Sequence, residues 1–169
     1  NQISEAETAL KNATATGASN AEVSAMNQAL AAAHLRRGRI LVASDQPDDA
    51  TTTVTAATDR GATPEQLASL NELIAGAYLD RAELLMGSGL VNDGLAAVEL
   101  AGIRSSGLSR IAQVEAVIHV RLAQAALKLG NVEQASAEFL KARSLDANAS
   151  GLGGLAESMA DGLVQRCED

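Results

Sequence analysis

The sequence predicts an all-α fold: antiparallel helix pairs repeated along the chain, with a flanking helix at each end. Three observations predict it. Hydrophobic residues make up 47% of the 169 residues but aromatics only 1%, so the chain leans on Ala and Leu, strong helix formers, rather than on the aromatic and β-branched residues that suit sheets. Helix-start and helix-stop residues recur at short intervals, and both prolines, Pro47 and Pro64, sit where a helix would begin. A pattern of small and large residues also returns three times, stepping 44 residues from Gly38 to Ala82 and 41 from Ala82 to Ala123.

Each element has its own signals. A short helix near Ile3–Lys11 opens the chain, and Ala13–Ala18 reads as a loose segment. Ser19 caps the next helix, with Glu22 completing a capping box, and Val23, Met26, Leu30, His34, Leu35, Ile40 and Leu41 follow at helical spacing. The helix fades at Ser44-Asp45. Pro47 opens its successor, Asp48 and Asp49 suit the positive end of its dipole, and Gly61 ends it. Thr63, Pro64 and Gln66 start a long helix that Gly87-Ser88-Gly89 breaks. A helix from about Asn92 stops at Ser105-Ser106-Gly107. Ser109 is the expected cap of the helix that Gly130 ends, and Asn131 with Gln134 starts another. Asn148–Gly154 reads as a loop, and a last amphipathic helix runs from Leu155 to about Cys167. Connections this short make successive helices antiparallel.

The repeat aligns Gly38, Asp45, Ala50, Val54 and Ala57 with Ala82, Gly89, Gly94, Val98 and Ala101, and these with Ala123, Gly130, Ala135, Phe139 and Ala142. The third unit, from Leu122 to Ala135 and on through Phe139, Ala142 and Leu145-Asp146, resembles a tetratricopeptide (TPR) repeat. The resemblance covers about Ala32 to Asn148. It implies a TPR-like right-handed solenoid of three repeats, 19–61, 62–107 and 108–148, preceded by residues 1–18 and followed by a capping helix in 149–169. The step exceeds the family's 34 residues, so the first helix of each pair is expected to be longer by about two turns. Ala147 stands where the family usually has Pro, and Asp45 where it has Gly.

The formal net charge of −8 argues against nucleic-acid binding, which needs a basic face, and against an anionic membrane surface. No apolar run reaches the ~20 residues of a membrane-spanning helix. Cys167 is the one cysteine, which excludes an intrachain disulfide and leaves an intermolecular one open. The chain begins at Asn1 rather than Met, so either a leader was removed or the sequence records a fragment; the compartment stays open, with export slightly favoured over the cytoplasm. Its excess of Arg over Lys fits a GC-rich bacterial genome.

No catalytic constellation, metal site or cofactor site emerges. His34 and His119 fall at equivalent repeat positions, with Tyr78 at the third, which favours packing over chemistry. Glu115 lies four residues before His119, but two ligands do not make a metal site. Gly151-Leu152-Gly153-Gly154 lacks the Lys-Ser/Thr pair of a phosphate loop, and Asp45–Asp49 lacks the alternating ligands of a calcium loop.

The expected function is therefore a non-enzymatic protein-interaction scaffold. The TPR resemblance implies a concave groove lined by the first helices, exposing Leu35, Arg39, Val42, Leu79, Glu83, Met86, Val120, Gln124, Leu127 and Lys128, with Arg36, Asp80 and Arg121 flanking it. The Lys/Asn clamp of chaperone-tail-binding members is absent, because Leu35 and Arg39 stand where it would begin. An apolar helix or extended segment is the expected occupant. The alternative is a structural subunit that assembles with copies of itself through repeat stacking.

Overall fold

A computed structural model describes the backbone over residues 2–168 and the side chains over residues 2–160. The described residues form eight α-helices and no strand: α1 Gln2–Ala15, α2 Asn20–Ala43, α3 Pro47–Asp59, α4 Pro64–Gly87, α5 Val91–Arg104, α6 Ser109–Lys128, α7 Val132–Leu145 and α8 Leu152–Glu168. The chain divides into two compact units, Asn1–Ala77 and Tyr78–Asp169, with the boundary inside α4. That boundary cuts the second sequence repeat, so units and repeats do not coincide.

In the first unit α2 packs on both α1 and α3. Its core includes Leu10, Leu30, Leu35, Val54, Leu70 and Ile74. In the second unit α6 packs on α5, α7 and α8, and α7 also packs on α8. There Ala116, Val120 and Ala123 of α6 meet Ala142, Ala149, Leu152 and Leu155, with Phe139 and Met159 partly buried against them.

The sequence repeat reappears as a repeat of backbone conformation. Asp45, Gly89 and Gly130 take positive φ angles of 57°, 83° and 74°. The next residue's N–H donates back across each turn, Gln46 to Leu41 O, Leu90 to Leu85 O and Asn131 to Ala126 O, each at 2.9 Å. This is the Schellman ending, in which a left-handed residue satisfies the last helical carbonyls. Glycine takes that conformation without a Cβ penalty and aspartate does not. Asp45→Gly is therefore expected to stabilise the chain by about 0.5–1 kcal/mol, since the relieved strain exceeds the extra entropy of an unfolded glycine. Thermal unfolding of the variant checks this, as a rise of a few degrees in Tm.

Burial repeats as well. Gly38, Ala82 and Ala123 are buried, as are Ala50, Gly94 and Ala135, and Ala57, Ala101 and Ala142. His34, Tyr78 and His119 are all core residues. The close approach is tightest at Gly38 and Gly94. A Cβ on Gly94 would lie 3.1 Å from the Ala82 carbonyl oxygen on α4.

Three boundaries depart from expectation. Helix α1 continues through Ala15, so Ala13–Ala15 are helical rather than loose. Its stop is Gly17, at φ 84°, with Ala18 N–H bonded to Ala13 O, while the Thr14 hydroxyl donates to Leu10 O and needs no non-helical partner. Ser109 is the first helical residue of α6 and not its cap. Leu108 holds the cap position and its carbonyl accepts from Ile111 N–H. Helix α8 starts at Leu152, so Gly153 and Gly154 lie inside its first turn and only Gly151, at φ 91°, serves as the bend. Burial of Leu152 beside Leu155 gives this early start an apolar face to pack. The side chains of Asp161, Leu163, Arg166, Cys167, Glu168 and Asp169 lie outside the described residues.

Candidate functional site

The first helices α2, α4 and α6 carry the positions expected to bind a partner, and helical spacing sorts them. Residues four before and three after a given residue share its face. Leu35 lies between Ala31 and Gly38, Leu79 between Ala75 and Ala82, and Val120 between Ala116 and Ala123, and all nine are buried. Leu35, Leu79 and Val120 are therefore core residues and not an exposed apolar lining, which corrects the expectation. In the second unit Val120 is covered by the start of the end helix: Gly151 lies close enough that a Cβ on it would sit 3.1 Å from Val120 Cγ1.

The rest of the expected set behaves differently. Val42, Met86 and Leu127 are half-buried, whereas Arg36, Arg39, Asp80, Glu83, Arg121, Gln124 and Lys128 are exposed. In the first unit α2 thus presents Arg36 and Arg39. In the second unit α4 presents Asp80 and Glu83, and α6 presents Arg121, Gln124 and Lys128. What remains at the surface is polar and charged, because the apolar members were drawn into the helix–helix contacts.

Two of these charges already have a partner within the second unit. Arg110, near the start of α6, places Nη2 2.7 Å from Asp80 Oδ1 and 2.8 Å from Glu83 Oε1. Hydrogen bonds to Glu83 and then Asp80 hold the guanidinium above its ordinary value. All three side chains are substantially exposed, so the pairs fix geometry more than they add stability. Sequence reasoning missed Arg110, since its partners lie 27 and 30 residues away and no local pattern announces them.

Each histidine has a carboxylate from a neighbouring helix beside it, hydrogen-bonded only at His119. His119 Nδ1 lies 2.5 Å from Glu138 Oε2 on α7, and Lys141 Nζ donates to Glu138 Oε1 at 3.1 Å. An ionised carboxylate only accepts, so in this pair Nδ1 carries the proton. The Glu115 carboxylate stands 3.9 Å from His119 Nε2. In the first unit His34 Nε2 lies 3.4 Å from Glu7 Oε1 of α1, without a hydrogen bond. Among the described residues no group of three or more His, Cys, Asp or Glu side chains is arranged to hold a metal ion. Glu138 was missable but not silent: it interrupts the buried stripe between Ala135 and Ala142, where a charge needs a partner.

Burial opposes ionisation of Glu138, but the hydrogen bonds from His119 and Lys141 outweigh it and hold the carboxyl below its ordinary value of 4.5. A depressed carboxyl adds stability that is present above the unfolded value and lost as pH falls through the folded one. Thermal unfolding from pH 7 down to about pH 3 is expected to show a loss below about 4.5. In Glu138→Gln that portion of the loss disappears, while stability at pH 7 is lower than in the parent by about 1–3 kcal/mol.

Compared with known proteins, the chain matches no family model, no curated protein and no solved structure. None of its helices is long and apolar enough to cross a membrane, among the described residues.

Proposed function

We propose that this chain is a non-enzymatic protein-interaction scaffold of the tetratricopeptide type, binding a partner segment through the exposed positions of its first helices. One observation carries the reading. At the repeat-equivalent positions Arg36, Asp80 and Arg121, and again at Arg39, Glu83 and Gln124, the first helices keep a polar side chain exposed, beside the buried Leu35, Leu79 and Val120. Such side chains on packed helices set partner choice through charge complementarity. The partner surface this fits is polar with a few apolar contacts to Val42, Met86 and Leu127, rather than a wholly apolar segment.

The test replaces Arg39, Gln124 and Lys128 by Glu in the full chain and compares the proteins captured with those captured by the parent. The expected result is loss of at least one partner at an unchanged melting temperature. Identical captured sets would overturn the reading.

A second reading, assembly with copies of itself, is favoured by the large apolar side chains left at the surface of the second unit. Leu84, Ile103 and Leu129 are 69%, 74% and 86% exposed, and contact with another copy would remove them from water. Under this reading the mass in solution grows with concentration without reaching a plateau. Under the scaffold reading it does not.

A further inference from the structure

The first unit carries a second surface, which shares Arg36 with the repeat-equivalent positions and otherwise lies outside them. Helix α1 lies against α2 and the two leave an open cleft of about 740 Å³ between them. On α2 the residues Met26, Leu30, Ala33, Arg37 and Ile40 face it, at alternating steps of four and three, the spacing of a helix seam that receives another helix. On the α1 side the lining is Ile3, Ala6 and Ala9. The floor is shallow and apolar: Leu30 is buried, Met26 and Ile3 are half-buried, and Ala6, Ala9 and Ala29 are exposed alanines over which another backbone can pass closely. At one end Ile40 projects, 66% exposed.

The charge of this cleft runs against that of the molecule. The chain carries −8 overall, yet the lining contains two cations, Arg36 and Arg37, and no carboxylate. Both arginines are exposed, and among the described residues neither has an ion-pair partner. A cationic end beside an apolar seam fits one class of occupant.

We infer that the α1–α2 cleft docks an amphipathic helix of a partner protein, with its apolar face over Met26, Ala29 and Ala33 and acidic residues at the end that meets Arg36 and Arg37. This deepens the scaffold reading and rests on it, since it names the chemistry of one partner segment. The seam sets the occupant's spacing, with anchors at i, i+3, i+4 and i+7, and the arginines set its direction.

The probes are two fluorescent helical peptides of ~18 residues with a Leu/Ala face at that spacing, one ending in a pair of glutamates and the other in a pair of lysines. Their binding to the full chain is read by anisotropy. The glutamate peptide is expected to bind with Kd on the order of micromolar, and the lysine peptide about tenfold more weakly. In the R36E/R37E double variant the preference reverses. In Ala29→Arg, which fills the floor from an exposed position, both peptides lose binding. Melting temperatures stay at the parent's value because all three sites are exposed. The inference is overturned if the glutamate peptide does not bind, if the two peptides bind equally, or if Ala29→Arg leaves binding intact. If partner capture still depends on Arg39, Gln124 and Lys128 in that case, the cleft assignment falls and the scaffold reading stands.

Discussion

Gly38→Val is expected to destabilise the protein by about 2–3 kcal/mol, near the upper range for overpacking a close-packed core. The sign is not obvious from local propensity, because replacing glycine in a helix interior gains up to about 1 kcal/mol with alanine and less with β-branched valine. Packing decides it. A Cβ at Gly38 would lie 2.7 Å from Leu70 Cδ2 and would also press on Thr53 Oγ1. Neither neighbour can yield cheaply. Leu70 is fully buried, and the buried Thr53 hydroxyl is tied to Ala50 O at 2.7 Å. The milder Gly38→Ala is expected to lose about 1 kcal/mol. Combining it with Thr53→Ala should recover most of that loss, because it removes the hydroxyl the new Cβ meets and leaves alanine at both positions, as the sequence has at the repeat-equivalent Ala82 and Ala97. A double-mutant cycle on unfolding free energies checks this, with a coupling of about 1 kcal/mol.

Ile118→Ala is expected to destabilise by about 3–4 kcal/mol, lowering Tm by roughly 10 °C for a chain of this size. Ile118 is fully buried, and its Cδ1 lies 3.7 Å from where a Cβ on Gly94 would stand. It thus fills the space that glycine leaves between α5 and α6. Truncation removes three carbons and opens a void that Gly94 cannot occupy, since a side chain there meets the Ala82 carbonyl. Ile118→Val, which keeps the branch and loses one carbon, is expected to cost about 1 kcal/mol. Chemical denaturation of the two variants gives the comparison, and equal losses would show that the site collapses around the smaller side chain.

The legible part of the fold was local. Ser19 with Glu22 forms its capping box, Thr63 and Gln66 exchange the same pair of bonds, and Asn131 accepts from Gln134 N–H. The left-handed turn positions were visible as Asp45, Gly89 and Gly130, because only a few residue types tolerate that conformation. Composition misled at Ala13–Ala15, where polar surroundings read as a loose segment although the Thr14 hydroxyl bonds back to Leu10 O of the helix that carries it. It misled again at Gly153 and Gly154, where burial of the flanking leucines overrides the poor propensity of glycine.

The site was less legible, for a geometric reason. On a long helix, positions one residue apart differ by about 100°, so a small error in the assumed inward direction moves a residue between surface and core. Leu35, Leu79 and Val120 were assigned outward and lie inward, while Arg36, Asp80 and Arg121 immediately after them are exposed. The bonds that cross between helices, Arg110 to Asp80 and His119 to Glu138, depend on packing that no local spacing encodes.

Photo-crosslinking tests the scaffold claim most directly. A benzophenone amino acid is placed singly at Arg39 and Gln124 on first helices, and at Thr55 and Glu99 on second helices, all four exposed. The scaffold reading predicts that one partner is crosslinked from Arg39 and Gln124 and is absent at Thr55 and Glu99. Crosslinks that appear at Thr55 and Glu99 and not at the first-helix positions would contradict it.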